Sequence, residues 1–192
     1  LARRRIGLLG GSFNPAHEGH RAVSLYALKR LGLDQIWWLV SPQNPLKSVQ
    51  GMASLPERLL SARATANHAR IIVTDIENDA GTRYTADTLS MLKRRFPRTH
   101  FVWLMGADNL TQMPHWHKWQ DIFRSVPVAV FRRPTYAAGR KRGKAAVRFD
   151  KAWVPAVRGK KLASKKPPAW LLLDNRLDPE SSTRIRGQRG ED

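Results

Sequence analysis

Apolar positions fall along this chain in short, nearly unbroken runs, separated by longer stretches in which they recur every third or fourth residue. The runs occupy residues 6–9, 36–40, 71–74, 101–105, 126–131 and 170–173 and are rich in Val, Ile, Leu and Trp. Such runs, with no polar alternation, predict strands buried on both faces. The patterns at residues 22–31, 56–66, 85–96 and 116–123 predict helices, with Ser54 and Thr85 as caps. Strand and helix in alternation predict an α/β fold, a Rossmann-like doubly wound parallel sheet of about five to six strands with helices on both faces. Ligands of such sheets bind beyond the strand carboxyl ends, at the switch in strand order. Gly10, Ser41, Asp75 and Gly106 directly follow the first four runs. With no repeat and no second domain visible, residues 1–192 read as a single domain, long enough to bury roughly 70% of its unfolded surface.

The first run passes into GGSFNPAHEGH, residues 10–20. Gly10 and Gly11 lack a Cβ, so a ligand can approach the backbone, and Pro15 fixes the turn before a helix opens near Glu18 or Gly19. His17 and His20 then face one spot. His20 falls in the first helical turn, where side chains lean toward the N-terminus and unpaired N–H groups favour an anion. The spacing is not G-x-G-x-x-G and no Gly-Lys-Ser/Thr follows, which excludes the dinucleotide fingerprint and the P-loop. Near the other end, SSTRIR at residues 181–186 follows the last apolar run and an Asp-Pro turn. Ser181, Ser182 and Thr183 suit a helix start and supply donors for phosphate, and the Arg186 guanidinium could fork onto a di- or triphosphate. Taken alone, this string reads better as an ordinary helix cap followed by solvated arginines.

Charge sharpens the partner class without choosing it. The formal net charge is +19, attractive to any polyanion. Residues 132–166 hold thirteen Lys or Arg against the single acid Asp150; with few regularly spaced apolar residues, they predict a basic, partly mobile surface insertion. There is no cysteine, which excludes disulfides, thiolate metal sites and cysteine nucleophiles and suits a cytoplasmic protein. No run approaches the length of about 20 residues that spans a bilayer, so no membrane association is expected. His115 and His117 lie two apart, and no metal-ligand spacing is present, so no protein-bound metal is expected.

Three further strings bear on specificity. Gly106-Ala107-Asp108-Asn109 offers small residues to admit a nucleotide and Asp108 to accept from ribose hydroxyls; a helix cap made by Asp108 or Asn109 is the other reading. Trp116-His117-Lys118-Trp119 sets two indoles on one helical face, ordinarily a core pattern. Lys47 sits in the proline-braced SPQNPLK loop after the second run, suited to a mobile anion. Glu57 and Arg58 read as helix-surface contacts.

Together, His17-Glu18-Gly19-His20 and SSTRIR resemble the nucleotidyltransferase superfamily that pairs an H-x-G-H turn with a C-terminal serine/threonine-arginine motif. Through SPQNPLK, ERL, YTADTL at 84–89 and GADNL at 106–110, the chain is similar to the nicotinate-nucleotide adenylyltransferase family over nearly its whole length. It departs from that pattern at Asn14, where aspartate is frequent, and at Leu46, where histidine is common. The resemblance implies transfer of AMP from ATP to nicotinate mononucleotide, with Mg2+ delivered on ATP. It implies catalytic roles for His17, His20 and Arg186, and ATP contacts by Gly10, Gly11, Ser12, Phe13, Gly106, Asp108, Ser181, Ser182 and Thr183. For the mononucleotide it implies Lys47, Asp108, a stacking Trp116, and backbone N–H groups near Thr85 and His117 for the nicotinate carboxylate. A sister adenylyltransferase acting on nicotinamide mononucleotide or phosphopantetheine is the nearest rival. A basic nucleic-acid-binding module is the more distant one, and no specific nucleic acid is expected.

Overall fold

The computed structural model describes residues 3–42, 51–132 and 143–174. Six strands, β1 (Arg4–Gly11), β2 (Gln35–Val40), β3 (Ile71–Thr74), β4 (Thr99–Gly106), β5 (Val128–Arg132) and β6 (Trp170–Asp174), form one sheet in the order β3-β2-β1-β4-β5-β6. Every pairing is parallel. The order therefore switches between β1 and β4, in register with Leu9 opposite Leu104. The expected doubly wound architecture is the one found.

Alternate strand residues feed two separate cores, which is why the runs carry no polar alternation. Leu9, Trp38, Val40, Leu104, Phe131 and Leu171 point to one face, covered by α1 (Glu18–Leu31) and α2 (Leu55–Ala66). Leu8, Leu39, Trp103, Met105, Val130 and Trp170 point to the other. That second face is covered by α3 (Ile76–Asp79), α4 (Thr85–Arg95), α5 (Ala107–Gln112), α6 (Trp119–Ser125) and α7 (Lys144–Arg148). Ser54 caps α2 as expected, accepting from the Glu57 N–H while Glu57 Oε2 accepts from the Ser54 N–H at 2.8 Å and its Oγ at 2.6 Å. These two bonds hold the Glu57 carboxyl below its ordinary value.

Three expectations are corrected. Thr85 opens α4 but does not cap it; Tyr84 does, in an extended conformation. The helix expected over 116–123 begins only at Trp119, because Trp116 is extended and Lys118 adopts φ 47°, ψ 38°; a left-handed residue cannot sit inside an α-helix. The two indoles therefore do not share a helical face. Residues 143–166 are no loose insertion: Ala145, Ala146, Phe149, Val154, Leu162 and Ala163 are buried, and Phe149 stacks on Phe123 at 4.5 Å. Their lysines and arginines stay at the surface or half-buried. These apolar positions leave no sequence signal because they are spread over α7 and short 3-10 turns, each too brief to show a period.

Candidate active site

The phosphate-type turn lies at the carboxyl end of β1, on the switch point. His17 is the N-cap of α1 and is buried; His20 is its third helical residue and half-buried. Their rings stand 3.8 Å apart between centroids. The His17 backbone N–H donates to His20 Nδ1 at 3.2 Å. Because Nδ1 accepts, neutral His20 carries its proton on Nε2, which is then a donor. The ring is seated on Phe13 at 4.8 Å and Trp38 at 5.9 Å. Below it, Ser24 Oγ donates to the His20 carbonyl at 2.8 Å and accepts from Trp38 Nε1 at 2.8 Å. A packed, hydrogen-bonded support thus fixes the imidazole, which is what a preorganised donor requires.

Two roles assigned to this turn change. A Cβ on Gly10 would stand 2.6 Å from Trp103 Cη2, so glycine there admits the buried β4 indole and is needed for packing before any ligand arrives. Phe13 is 1% exposed with φ 48° and stacks on Trp38 at 5.0 Å; its side chain belongs to the core, and only its backbone remains for a ligand.

Across the switch, Gly106 ends β4 and caps α5, with Asp108 in the first turn. Neither Asp108 nor Asn109 is the cap. Asp108 Oδ1 is buried with no hydrogen-bond partner among the described residues, an acceptor suited to a hydroxyl donor. On the same side of the sheet, the Tyr84 and His117 rings stand 4.5 Å apart and Lys118 pairs with Asp87 at 3.7 Å. The structure so brings Thr85 and the Trp116-His117 segment together, although 30 residues separate them in sequence. Trp116 is half-buried against the second core. Lys47, Ser181, Ser182, Thr183 and Arg186 lie outside the described residues.

Two buried ionisable residues escaped the sequence reading. Arg58, expected on a helix surface, is 2% exposed, and burial pulls its guanidinium below its ordinary pKa. Glu77 accepts from Thr88 Oγ1 at 3.0 Å, and burial raises its carboxyl against the lowering effect of that bond. Glu77 thereby ties α3 to the first turn of α4, just behind Thr85. Among the described residues no group of three His, Asp or Glu side chains is placed to hold a metal ion, and no helix is long and apolar enough to cross a membrane.

Residues 8–188 match the cytidylyltransferase-like family model. A protein of Parvibaculum lavamentivorans named a probable nicotinate-nucleotide adenylyltransferase is 51% identical over 186 residues, 97% of this chain and 92% of that one. A protein of Cereibacter sphaeroides bearing the same name is 51% identical over 94% of this chain and 96% of its own. Among solved structures, the Plasmodium falciparum nicotinic acid mononucleotide adenylyltransferase complexed with NaAD superposes with a TM-score of 0.73 at 18% identity, covering 96% of this chain and 83% of that chain. At that identity the superposition speaks for the fold.

Proposed function

Since this chain belongs to the cytidylyltransferase-like family and, within it, to the nicotinate-nucleotide adenylyltransferases, we propose the following division of labour for its residues. The reaction transfers AMP from ATP to nicotinate mononucleotide, giving nicotinate adenine dinucleotide and pyrophosphate in NAD biosynthesis. A phosphate oxygen of the mononucleotide attacks the α-phosphorus in line; the bond from that phosphorus to the α,β-bridging oxygen breaks, and pyrophosphate leaves with the electron pair. The attacking phosphate is already largely ionised at neutral pH, so alignment and charge stabilisation matter more than a general base.

The observation that carries this reading is the imidazole pair at 3.8 Å, at the N-terminus of α1 and on the switch point. His20 Nε2 and His17 donate to the α- and β-phosphate oxygens, with the backbone of residues 10–13 alongside. Ser181, Ser182, Thr183 and Arg186 hold the departing pyrophosphate. The strand that leads to them ends at Asp174 on the same sheet edge, where Tyr26 of α1 donates to the Asp174 carbonyl at 3.1 Å and Arg132 pairs with its carboxylate at 2.9 Å. Three strand spacings of about 4.8 Å separate β6 from β1, well within the reach of seven extended residues at about 3.4 Å each.

Asp108 takes the ribose hydroxyls and Lys47 the mononucleotide phosphate. Trp116 stacks on the nicotinate ring, and the backbone N–H groups near Thr85 and His117 hold its carboxylate. Donors suit an acid; a carboxamide would turn its NH2 toward them and leave both sides unpaired. Magnesium enters as part of the ATP substrate, held mainly by phosphates and water. We place the reaction in the cytoplasm, with ATP and the mononucleotide as partners and no specific nucleic acid.

Pyrophosphate release from ATP is measured with nicotinate mononucleotide, nicotinamide mononucleotide and phosphopantetheine in turn. Fastest turnover with the nicotinate substrate is expected. Preference for either of the others would overturn the acid-binding assignment at Thr85 and His117.

A further inference from the structure

Arg58 is the most buried charged side chain among the described residues, at 2% exposure. It reaches from α2 to three separate stretches of chain, always to carbonyl oxygens. Nε donates to Ala53 at 3.0 Å, Nη1 to Ser12 at 2.8 Å and to Ser41 at 2.7 Å, and Nη2 to Pro42 at 3.1 Å. No carboxylate pairs with it among the described residues. Ser12 follows β1 and Ser41-Pro42 follows β2, so one guanidinium clamps the carboxyl ends of two adjacent strands.

Peptide planarity gives that clamp a second side. In a trans peptide the C=O and the N–H of the following residue point in opposite directions. A guanidinium that grips the Ser12 carbonyl therefore turns the Phe13 N–H away from itself, and Phe13 is held in its left-handed conformation, φ 48°, by stacking on Trp38 and His20. A buried cation without a carboxylate is costly. Carbonyl dipoles offset only part of that cost, and an anion bound on the far side of the same peptide plane would offset more.

We propose that Arg58 is a positioning residue for adenylyl transfer: it orients the Ser12–Phe13 peptide and the Ser41–Pro42 strand end so that the turn presents its amide donors to the ATP phosphates. The inference rests on residues 10–20 being the phosphate site. A lysine could bond some of these carbonyls but lacks the planar fork that reaches three stretches at once. Methionine keeps the volume and removes the donors.

The test uses the full chain with Arg58→Lys and Arg58→Met, at a temperature well below each variant's melting point, with rates expressed per folded molecule. A drop in kcat on the order of 100-fold is expected for both, with KM for ATP changed much less, because the donors act most strongly on the transition state. Thermal shift by saturating pyrophosphate is read in parallel and is expected to shrink in both variants. Arg58→Lys with kcat within threefold of the parent and an undiminished pyrophosphate shift overturns the proposal, whatever its melting point. The pyrophosphate shift keeps the test decisive if Arg58→Met is too unstable to assay. Absence of pyrophosphate release by the parent chain with every mononucleotide would instead overturn the phosphate-site reading, so the two failures are distinct.

Discussion

At the scale of single residues, His20 is held by four different groups. The His17 N–H occupies Nδ1, the rings of Phe13 and Trp38 fix its plane, and Ser24 holds its backbone carbonyl. His20→Ala removes one transition-state donor together with a capping bond of α1 and the ring's contacts with Phe13 and Trp38, so pyrophosphate release should fall on the order of 100- to 1,000-fold while the chain stays folded with a lowered melting temperature. Parent-like turnover by that variant would contradict the assignment. Glu77 makes a different prediction. Burial raises its carboxyl in the folded chain; below the unfolded value of 4.5 it is protonated in both states and its contribution is fully present. As pH rises above 4.5 the unfolded chain ionises while the native one retains the proton, so this contribution is lost through the folded pKa. Glu77→Gln keeps the acceptor for Thr88 and cannot ionise; its melting temperature should gain on the parent's as pH climbs from 4.5 toward neutrality. A difference that is flat with pH would refute it. The histidines were legible in the sequence because their chemistry lies within one turn. Arg58 was not, because its acceptors Ser12 and Ser41 lie 46 and 17 residues away.

At the scale of elements, the strands were readable because burial on both faces leaves an apolar run that needs no tertiary knowledge to notice. Each of the six was found, the fifth shifted to Val128–Arg132 because Val126 ends α6. Start signals for helices were weaker: the one at 116 failed at a single left-handed residue, Lys118, whose φ no local pattern announces. The basic stretch failed for the opposite reason, its lysines masking six buried apolar side chains. Phe149 tests that correction. Its ring stacks on Phe123 at 4.5 Å and meets Trp119 edge-on at 6.0 Å, so Phe149→Ala should cost about 3–5 kcal/mol in unfolding by denaturant. A cost below about 0.5 kcal/mol is what a peripheral insertion would give.

At the scale of the whole molecule, one basic cluster among the described residues lies at the opposite end of the strands from the histidine pair. The parallel sheet sends every strand N-terminus to one edge, where Arg4, Arg5, Arg70 and Arg98 open or precede β1, β3 and β4. Lys29 and Arg30 close α1 on that edge, beside Lys160, whose side chain approaches Gly32. One acid there, Asp34, is already engaged: burial raises its carboxyl, but the Arg5 backbone and side-chain bonds, with the charges of Arg5 and Arg70, hold it below its ordinary value. His17, His20 and Asp108 sit at the other edge, a full length of β1 away, about 23 Å at 3.3 Å per residue. Screening at physiological salt has a length of about 8 Å, so the basic edge contributes little to the field on the triphosphate. Arg94, exposed in the last turn of α4, adds to this edge beside exposed Arg98, so Arg94→Glu with Arg98→Glu should lower retention on immobilised heparin while leaving kcat/KM for ATP within about twofold at 0.15 M salt. If the double variant instead lost tenfold in kcat/KM with an unchanged melting temperature, this basic edge would have to act on the substrate, and the length of β1 would not insulate the histidine pair from it.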